Sequence, residues 1–341
     1  MGTWYIVETL VPPTCSVVFK DGELQDWRSI KTIQRTQGVD AAPIVDEAIK
    51  TRRAVDLMID GQQGRRRVVT DPLIGYPATS MANAVETGDL YGLRIWVGEP
   101  DEPVASKRSA AALNWDIATF TVHHTDESYL MSSESLEGYG AERDPGQFLR
   151  KVVQYDDLDE LVELCMADGK RTTFSGRLSV LHDDGHLMAW RAVARGQAGP
   201  GGNEIRAISH DVTDHEKPNI HPLTMLRITD RELEPDQPGQ VLIAYPGMAP
   251  LLTYWISARP SWLAETATNA PGRNLIHADD HPEFRRAVSA LLAGQELMEI
   301  PIEARIWGAN NSWVRAKIEL RRYPNQVGNM LHVAKITKLD T

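Results

Sequence analysis

Gln154-Tyr155-Asp156-Asp157, followed by Leu158, Leu161, Val162 and Cys165, and His277-Ala278-Asp279-Asp280, followed by Phe284, Ala287, Val288 and Leu291, read as two versions of one phrase. In each, an acidic pair opens a helix whose apolar residues fall at i, i+3, i+4 and i+7, the stripe of one buried face. The carboxylates suit the free N–H groups and the dipole of a helix start. Pro282 fits a first turn, and Gly169 and Gly294 stand where each helix should stop. Three strand-like runs then follow each phrase. After the first they are Phe174 to Leu181, Leu187 to Val193 and Glu204 to His210, with a turn at Asp183-Asp184-Gly185 and a Gly/Pro loop at Gly196 to Gly202. After the second they are Ile300 to Trp307, Trp313 to Leu320 and Met330 to Ile336, with a turn at Asn310-Asn311 and a loop at Pro324-Asn325. Val314, Ala316, Ile318 and Leu320 alternate with Trp313, Arg315, Lys317 and Glu319, the period-2 pattern of a half-buried strand. A helix followed by a three-strand meander, occurring twice, predicts an α+β fold with internal repetition.

Upstream of each helix lie two further strand-like pieces. They are Asp116 to Val122 and Tyr129 to Ser132 around a turn at Thr125-Asp126, and Val241 to Tyr245 and Leu251 to Ser257. Two seams rich in proline and charge, Gly98 to Arg108 and Asp211 to Gly239, divide the 341 residues into three segments of ordinary domain size. Leu223, Leu226 and Ile228 suggest a short apolar element inside the second seam. In the first segment, Trp4 to Leu10, Cys15 to Lys20, Val68-Val69 and Leu90 to Val97 read as strands. Asp21-Gly22 reads as a turn and Ile44 to Ile59 as a helix, and Tyr91, Leu93, Ile95 and Val97 are expected on one face.

Composition narrows the function classes. Hydrophobic residues are 42% and charged residues 24%, which suits a packed core and argues against disorder. A net charge of -11 disfavours a general nucleic-acid or anionic-membrane surface, and acidic neighbours surround most local basic clusters such as Arg65-Arg66-Arg67. Cys15 and Cys165 lie far apart with no C-x-x-C spacing, which excludes a zinc ribbon or disulfide scaffold and fits a reducing compartment. No basic n-region precedes the first apolar run, and the myristoylation pattern fails at Ile6. Val241 to Ile256, broken by Pro246, Gly247 and Pro250, is too short to cross a bilayer. The expectation is a cytoplasmic protein.

The order strand–strand–helices–strand–strand–strand, with an acid-opened helix near its middle, resembles the PAS fold. His277-Ala278-Asp279-Asp280 and its earlier counterpart echo that family's His-Pro-Asp-Asp-like phrase. Ile205 to Asp214, ending Asp211-Val212-Thr213-Asp214, looks like its strand into a D-[IV]-T-[DE] exit; Val333 to Thr337 is a looser version. The phrases Trp4-Tyr5-Ile6-Val7-Glu8-Thr9-Leu10 and Leu90 to Gly98 are similar to the actinobacterial, mycobacterial-type triple-sensor-domain proteins, otherwise of unknown function. That resemblance implies a GAF-like domain at 1–104, a PAS domain at 110–217 and a second at 222–341. Each would be an antiparallel sheet flanked by helices.

Catalytic signatures are missing. His182-Asp183-Asp184, His210-Asp211 and His277 to Asp280 offer the ligand types of a metal-dependent hydrolase or phosphodiesterase, which stands as the alternative reading. Yet a hairpin turn, a strand exit and a helix cap each call for Asp on their own, so no metal site is assigned. Gly196 to Gly202 lacks the Lys-Ser/Thr of a phosphate loop, and there is no G-x-S-x-G elbow. Gly272-Arg273-Asn274-Leu275 resembles the flavin-binding phrase of LOV domains, but Leu275 replaces its reactive cysteine. His123-His124 is expected at a solvated strand end. Of the nine tryptophans and the histidines, Trp115, Phe120, Trp190, Trp255 and His332 are expected to line a ligand cup between sheet and helix. No catalytic residue and no cofactor is assigned, and the ligand is an unnamed small molecule. No kinase ATP-binding region, G-G-D-E-F phrase or DNA-reading domain follows the last unit. The sequence therefore points to a non-catalytic sensor that signals through a protein partner, with PAS-mediated homodimerisation and no nucleic acid.

Overall fold

The computed structural model describes residues 2–61, 64–75, 88–117, 119, 121–166, 172–199, 202–220, 238–244, 249–257, 259–264, 270–293, 299–323 and 331–339. It is α+β, every strand pairing within its sheets described below being antiparallel, and it divides into two compact units. The first holds residues 1–142 and 155–219, the second residues 143–154 and 220–341.

The chain opens with β1 (Thr3–Glu8), β2 (Ser16–Lys20) and β3 (Glu23–Ser29), then α1 (Lys31–Gln37) and α2 (Ala42–Thr51), then β4 (Asp56–Gly61), β5 (Gly64–Ile74) and β6 (Leu90–Gly98). They form one sheet in the order β3-β2-β1-β6-β5-β4. Asp21 and Gly22 both take positive φ, 47° and 93°, as the tight β2–β3 turn requires. The helix expected over Ile44 to Ile59 stops at Thr51. Arg52 adopts the left-handed conformation at φ 55°, and the next residues alternate exposed and inward as a strand, with Leu57 and Ile59 against the core. Tyr91 also departs from its expected face. Leu73 pairs Gly92 and Ile74 pairs Leu90, so Tyr91 is the extra residue of a bulge. Its ring turns away from Leu93, Ile95 and Val97 and joins the opposite cluster.

The middle of the chain carries β7 (Ala110–Asp116), β8 (Thr121–His124), α3 (Asp126–Leu130), the short β9 (Glu142–Arg143), α4 (Pro145–Phe148), β10 (Val152–Tyr155), α5 (Leu158–Met166), β11 (Thr173–Leu181), β12 (Leu187–Gly199) and β13 (Gly202–Asp211). Five strands lie in the order β11-β12-β13-β7-β8. The strand expected over Asp116 to Val122 is instead the end of β7 and the start of β8, and three further expectations change here. Tyr129 to Ser132 is not a strand. Thr125 caps α3 by accepting the Ser128 N–H, and Asp126 and Glu127 fill its first turn. Gln154 and Tyr155 end a strand rather than opening α5, whose buried residues are Leu161, Leu164 and Cys165. The expected loop at Gly196 is ladder, with Gly196 opposite Ile205 and Gly199 opposite Gly202, because backbone pairing needs no side chain.

The last part is β14 (Gly239–Ala244), β15 (Leu251–Trp255), α6 (His281–Ala293), β16 (Glu299–Trp307), β17 (Trp313–Arg322) and β18 (Leu331–Lys338), in the order β15-β14-β18-β17-β16. Phe284, Ala287, Val288 and Leu291 of α6 are all buried, as the periodicity requires. Ala316, Ile318 and Leu320 are fully buried on β17. Gly169, Gly294, Pro324-Asn325 and the apolar run Leu223 to Ile228 lie outside the described residues.

With the β3 hairpin extension set aside, all three sheets share one order, in which the first strand lies between the second and the last. The acidic phrases also do one job in both later copies. Asp157 accepts the Arg177 N–H of β11 at 3.0 Å, and Asp280 accepts the Arg305 N–H of β16 at 2.7 Å. The fourth residue of each phrase thus ties the helix start to the following strand. The helix-start acceptor in the last copy is instead the His277 ring, which takes the Asp279 N–H.

The first unit is held across its two sheets by a cluster that includes Ile6, Phe19, Leu73, Tyr91, Val193 and Ile208. A carboxylate lies in that interface. Glu8 is fully buried, and its oxygens accept from Arg195 Nη2 at 2.9 Å, Arg195 Nε at 3.2 Å and the Leu10 N–H at 3.1 Å. The Gly98–Arg108 seam is pinned as well. Gly2 N–H donates to Glu102, and the Trp4 indole N–H donates to the Ala105 carbonyl.

Candidate functional site

A strand's side chains alternate between faces, so register decides which of the expected pocket residues can meet. Trp115 lies opposite Ile205, and Trp190 opposite both Leu178 and Asp211. This puts both indoles on the face of the middle sheet turned away from the interface cluster. Ile205 and Asp211 are six residues apart on β13, so the two rings sit roughly 20 Å apart along the strand and do not share a pocket. Trp190 is buried, and neither indole N–H has a hydrogen-bond partner among the described residues. Phe120 lies outside the described residues.

Trp255 and His332 belong to the last sheet. Trp255 pairs with Val241 and His332 with Ile243, so they flank β14 on the face that carries the α6 core. That face is filled by Phe284, Leu291, Ile302, Ile306, Ile318 and Ile336, among others. His332 is fully buried. Desolvation, helped by the positive charge of Arg322 and partly offset by the Ile243 backbone, pushes its pKa down to about 4. It is a neutral core side chain at physiological pH.

Two clefts in the first unit include none of these five residues. One, of about 270 Å³ including its open mouth, is lined by Trp4, Phe19, Arg94, Arg108 and His210. His210 is buried, its ring centroid lies 4.7 Å from that of Phe19, and burial with nearby Arg108 pushes its pKa down to about 3. The cationic residues there are already paired, Arg94 with Asp71 and Glu127, and Arg108 with Asp214. The other, of about 460 Å³, lies between α2 and β4, with Ile44, Ala48, Val55 and Leu57 beside Glu47 and Arg53.

The histidine–acid phrases occupy different settings. His210 is in the sheet interface, and His277 is the acceptor at a helix start. Asp211 accepts the Thr213 N–H at 3.0 Å, while Thr213 Oγ1 takes the Ala189 N–H at 2.9 Å. The Asp211-Val212-Thr213-Asp214 exit is thereby stitched to β12. His182-Asp183-Asp184 forms the β11–β12 turn, as expected, and the turn brings a second imidazole, His186, to the same carboxylate. His186 is the ligand-type residue that the histidine–acid phrases of the sequence do not include. A hairpin centred on Asp184-Gly185 does place His182 and His186 across from each other, so that signal was present. His124 is not solvated. It is 2% exposed, with the rings of Tyr129 and Tyr139 folded over it at centroid distances of 6.3 and 5.5 Å.

Residues 3–105 match the family described as Rv3651-like, N-terminal. That span contains both phrases that resemble the actinobacterial proteins. No curated protein matches the chain. The crystal structure of an uncharacterized protein from Mycobacterium tuberculosis superposes with a TM-score of 0.74 at 18% identity, covering 99% of this chain and 96% of that one. The two share a fold over essentially their whole lengths. An RNA-binding light-oxygen-voltage receptor reaches a TM-score of 0.27 at 10% identity, over 67% of this chain and 95% of that one. The periplasmic sensory domain of the Campylobacter jejuni chemoreceptor Tlp1 reaches 0.17 at 11%, over 63% and 75%. Scores this low establish no common fold. The Rv3651-like match covers less than a third of the chain, and the mycobacterial neighbour shows a shared fold.

Proposed function

We propose that this protein is a non-catalytic sensory module, built from a GAF-like domain at 1–104 and PAS domains at 110–217 and 222–341, that signals by protein contact. The observation carrying this reading is the repeated sheet order, with an acid of the QYDD and HADD phrases tied in both copies to an arginine N–H of the next strand. Such a repeat supplies several similar helix-covered sheets, which a small molecule or a partner protein can bias between states. On this reading the ligand positions are Trp115, Phe120, Trp190, Trp255 and His332, with Trp115 and Trp190 serving separate ends of the middle sheet and Trp255 and His332 serving the last sheet. The protein acts in the cytoplasm as a homodimer or with a signalling partner. Among the described residues no helix is long and apolar enough to cross a membrane. Native mass spectrometry of the purified full chain tests the proposal. A retained small-molecule mass or a dimer mass is expected. Metal-dependent turnover of a cyclic dinucleotide by the same preparation would refute it in favour of a phosphodiesterase.

A further inference from the structure

The β11–β12 hairpin closes through His182-Asp183-Asp184-Gly185-His186. His182 N–H donates to the His186 carbonyl at 2.9 Å, and Gly185 N–H donates to the His182 carbonyl at 3.0 Å. Gly185 takes φ 91°, a conformation that glycine adopts without a Cβ clash. This closure sets the two imidazoles side by side, their centroids 4.6 Å apart and their planes 29° from parallel. Asp184 Oδ1 lies between them, 3.1 Å from His182 Nδ1 and 2.5 Å from His186 Nδ1. All three potential ligand atoms fall within 4.8 Å of one another.

The turn itself does not require this arrangement. The Asp184 carboxylate already accepts the His186 N–H at 2.9 Å, which is enough to close an Asx turn. His182 Nδ1 also accepts the Asp184 N–H at 3.3 Å within the turn, and the His186 ring on the same carboxylate oxygen is additional. Among the described residues, the ionic partners of Asp184 are these two rings and no lysine or arginine. Asp183 N–H donates to the Ser132 carbonyl at 3.3 Å, which holds the tip against the segment after α3.

We propose that His182, Asp184 and His186 form a binding site for a divalent transition-metal ion of the zinc class. In a tetrahedral site with metal–ligand distances near 2.0–2.1 Å, ligand atoms stand roughly 3.4 Å apart. Asp184 Oδ1 stands 3.1 and 2.5 Å from the two Nδ1 atoms, inside that spacing, and all the ligand atoms lie within 4.8 Å, so outward rotation of the side chains admits the ion. The ion takes the place of any proton on His186 Nδ1, and the neutral imidazole keeps its single N–H at Nε2. Two imidazole nitrogens and one carboxylate favour zinc, nickel or copper over calcium and magnesium, which take oxygen ligands. The His186 and Asp184 side chains are 51% and 45% exposed, so water completes the coordination. A bound ion clips the hairpin at its tip and couples metal to the stability of the first unit.

Isothermal titration of the chelator-stripped full chain with zinc chloride tests the site. One saturable equivalent is expected. His182→Gln and His186→Gln each weaken binding by at least about tenfold. Asp184→Asn, which can still accept the His186 N–H and so keep the turn, also weakens it while circular dichroism stays unchanged. Wild-type affinity in either histidine variant, or no saturable equivalent in the unaltered chain, overturns the proposal.

Discussion

Arg195→Leu should destabilise the first unit more than any change to an exposed ion pair. The substitution leaves the Glu8 carboxylate fully buried in the sheet interface with only the Leu10 N–H to satisfy it. Removing one partner of a buried pair costs about 3–5 kcal/mol, because the remaining charge stays desolvated. Arg195 keeps 16% of its side chain exposed, which places the loss near the lower end, about 3 kcal/mol. Its guanidinium also lies 4.3 Å from the Trp27 ring centroid, a contact worth about 0.5–1 kcal/mol. For a folding unit of this size, each kcal/mol lowers the melting temperature by roughly 2–4 °C, giving a fall of about 6–15 °C. Urea unfolding and thermal melts followed by far-UV circular dichroism read the effect. The double variant Glu8→Leu/Arg195→Leu should recover part of it, since it removes the buried unpaired charge but leaves the Leu10 N–H without its acceptor. An Arg195→Leu variant within about 1 kcal/mol of the unaltered protein would refute the reasoning. Glu8 would then not be a desolvated charge.

Two further outcomes follow from the repeat and from the buried histidines. Asp157→Ala and Asp280→Ala should each cost about 1–2 kcal/mol, because each leaves an arginine N–H of the next strand without its charged acceptor. A loss in one copy alone, in urea midpoints, would show that the two acids are not equivalent. The folded-state pKa of His332 is depressed below the unfolded value near 6.5, so the unfolded chain binds more protons as pH falls. Its stabilising contribution is full above about pH 6.5 and is lost as pH falls towards about 4, reaching roughly 2 kcal/mol by about pH 5. His332→Leu should flatten that acid slope in urea midpoints measured across pH. An unchanged slope would mean that the ring is solvated in the folded state.

Local chemistry made much of the fold legible. The α6 stripe from Phe284 to Leu291, the β17 alternation and the Asp-Gly turn of the β11–β12 hairpin lie where propensity and period put them. Errors arose where one signal hid another. An apolar run across Val55 to Ile59 looked helical until the left-handed Arg52 ended the helix, and Tyr129 to Ser132 looked extended although Thr125-Asp126-Glu127 is a helix start. The expected ligand cup was less legible. Aromatic identity marked Trp115 and Trp190, but only the register along β13 shows that they stand at opposite ends of one face.

What the sequence determined alone is the repeated phrase and the elements around it, because helix caps, hydrophobic period and turn residues act over a few positions. Tertiary structure decided which sheet faces meet. It buried Glu8 against Arg195, distant in sequence, and turned Tyr91 into the cluster between the two sheets of the first unit through a bulge visible only as a mismatch between two strands. It also closed a turn that brought His186 to the carboxylate beside His182. Pairing energies between distant strands depend on register and desolvation, and neither is written in the local sequence of either strand.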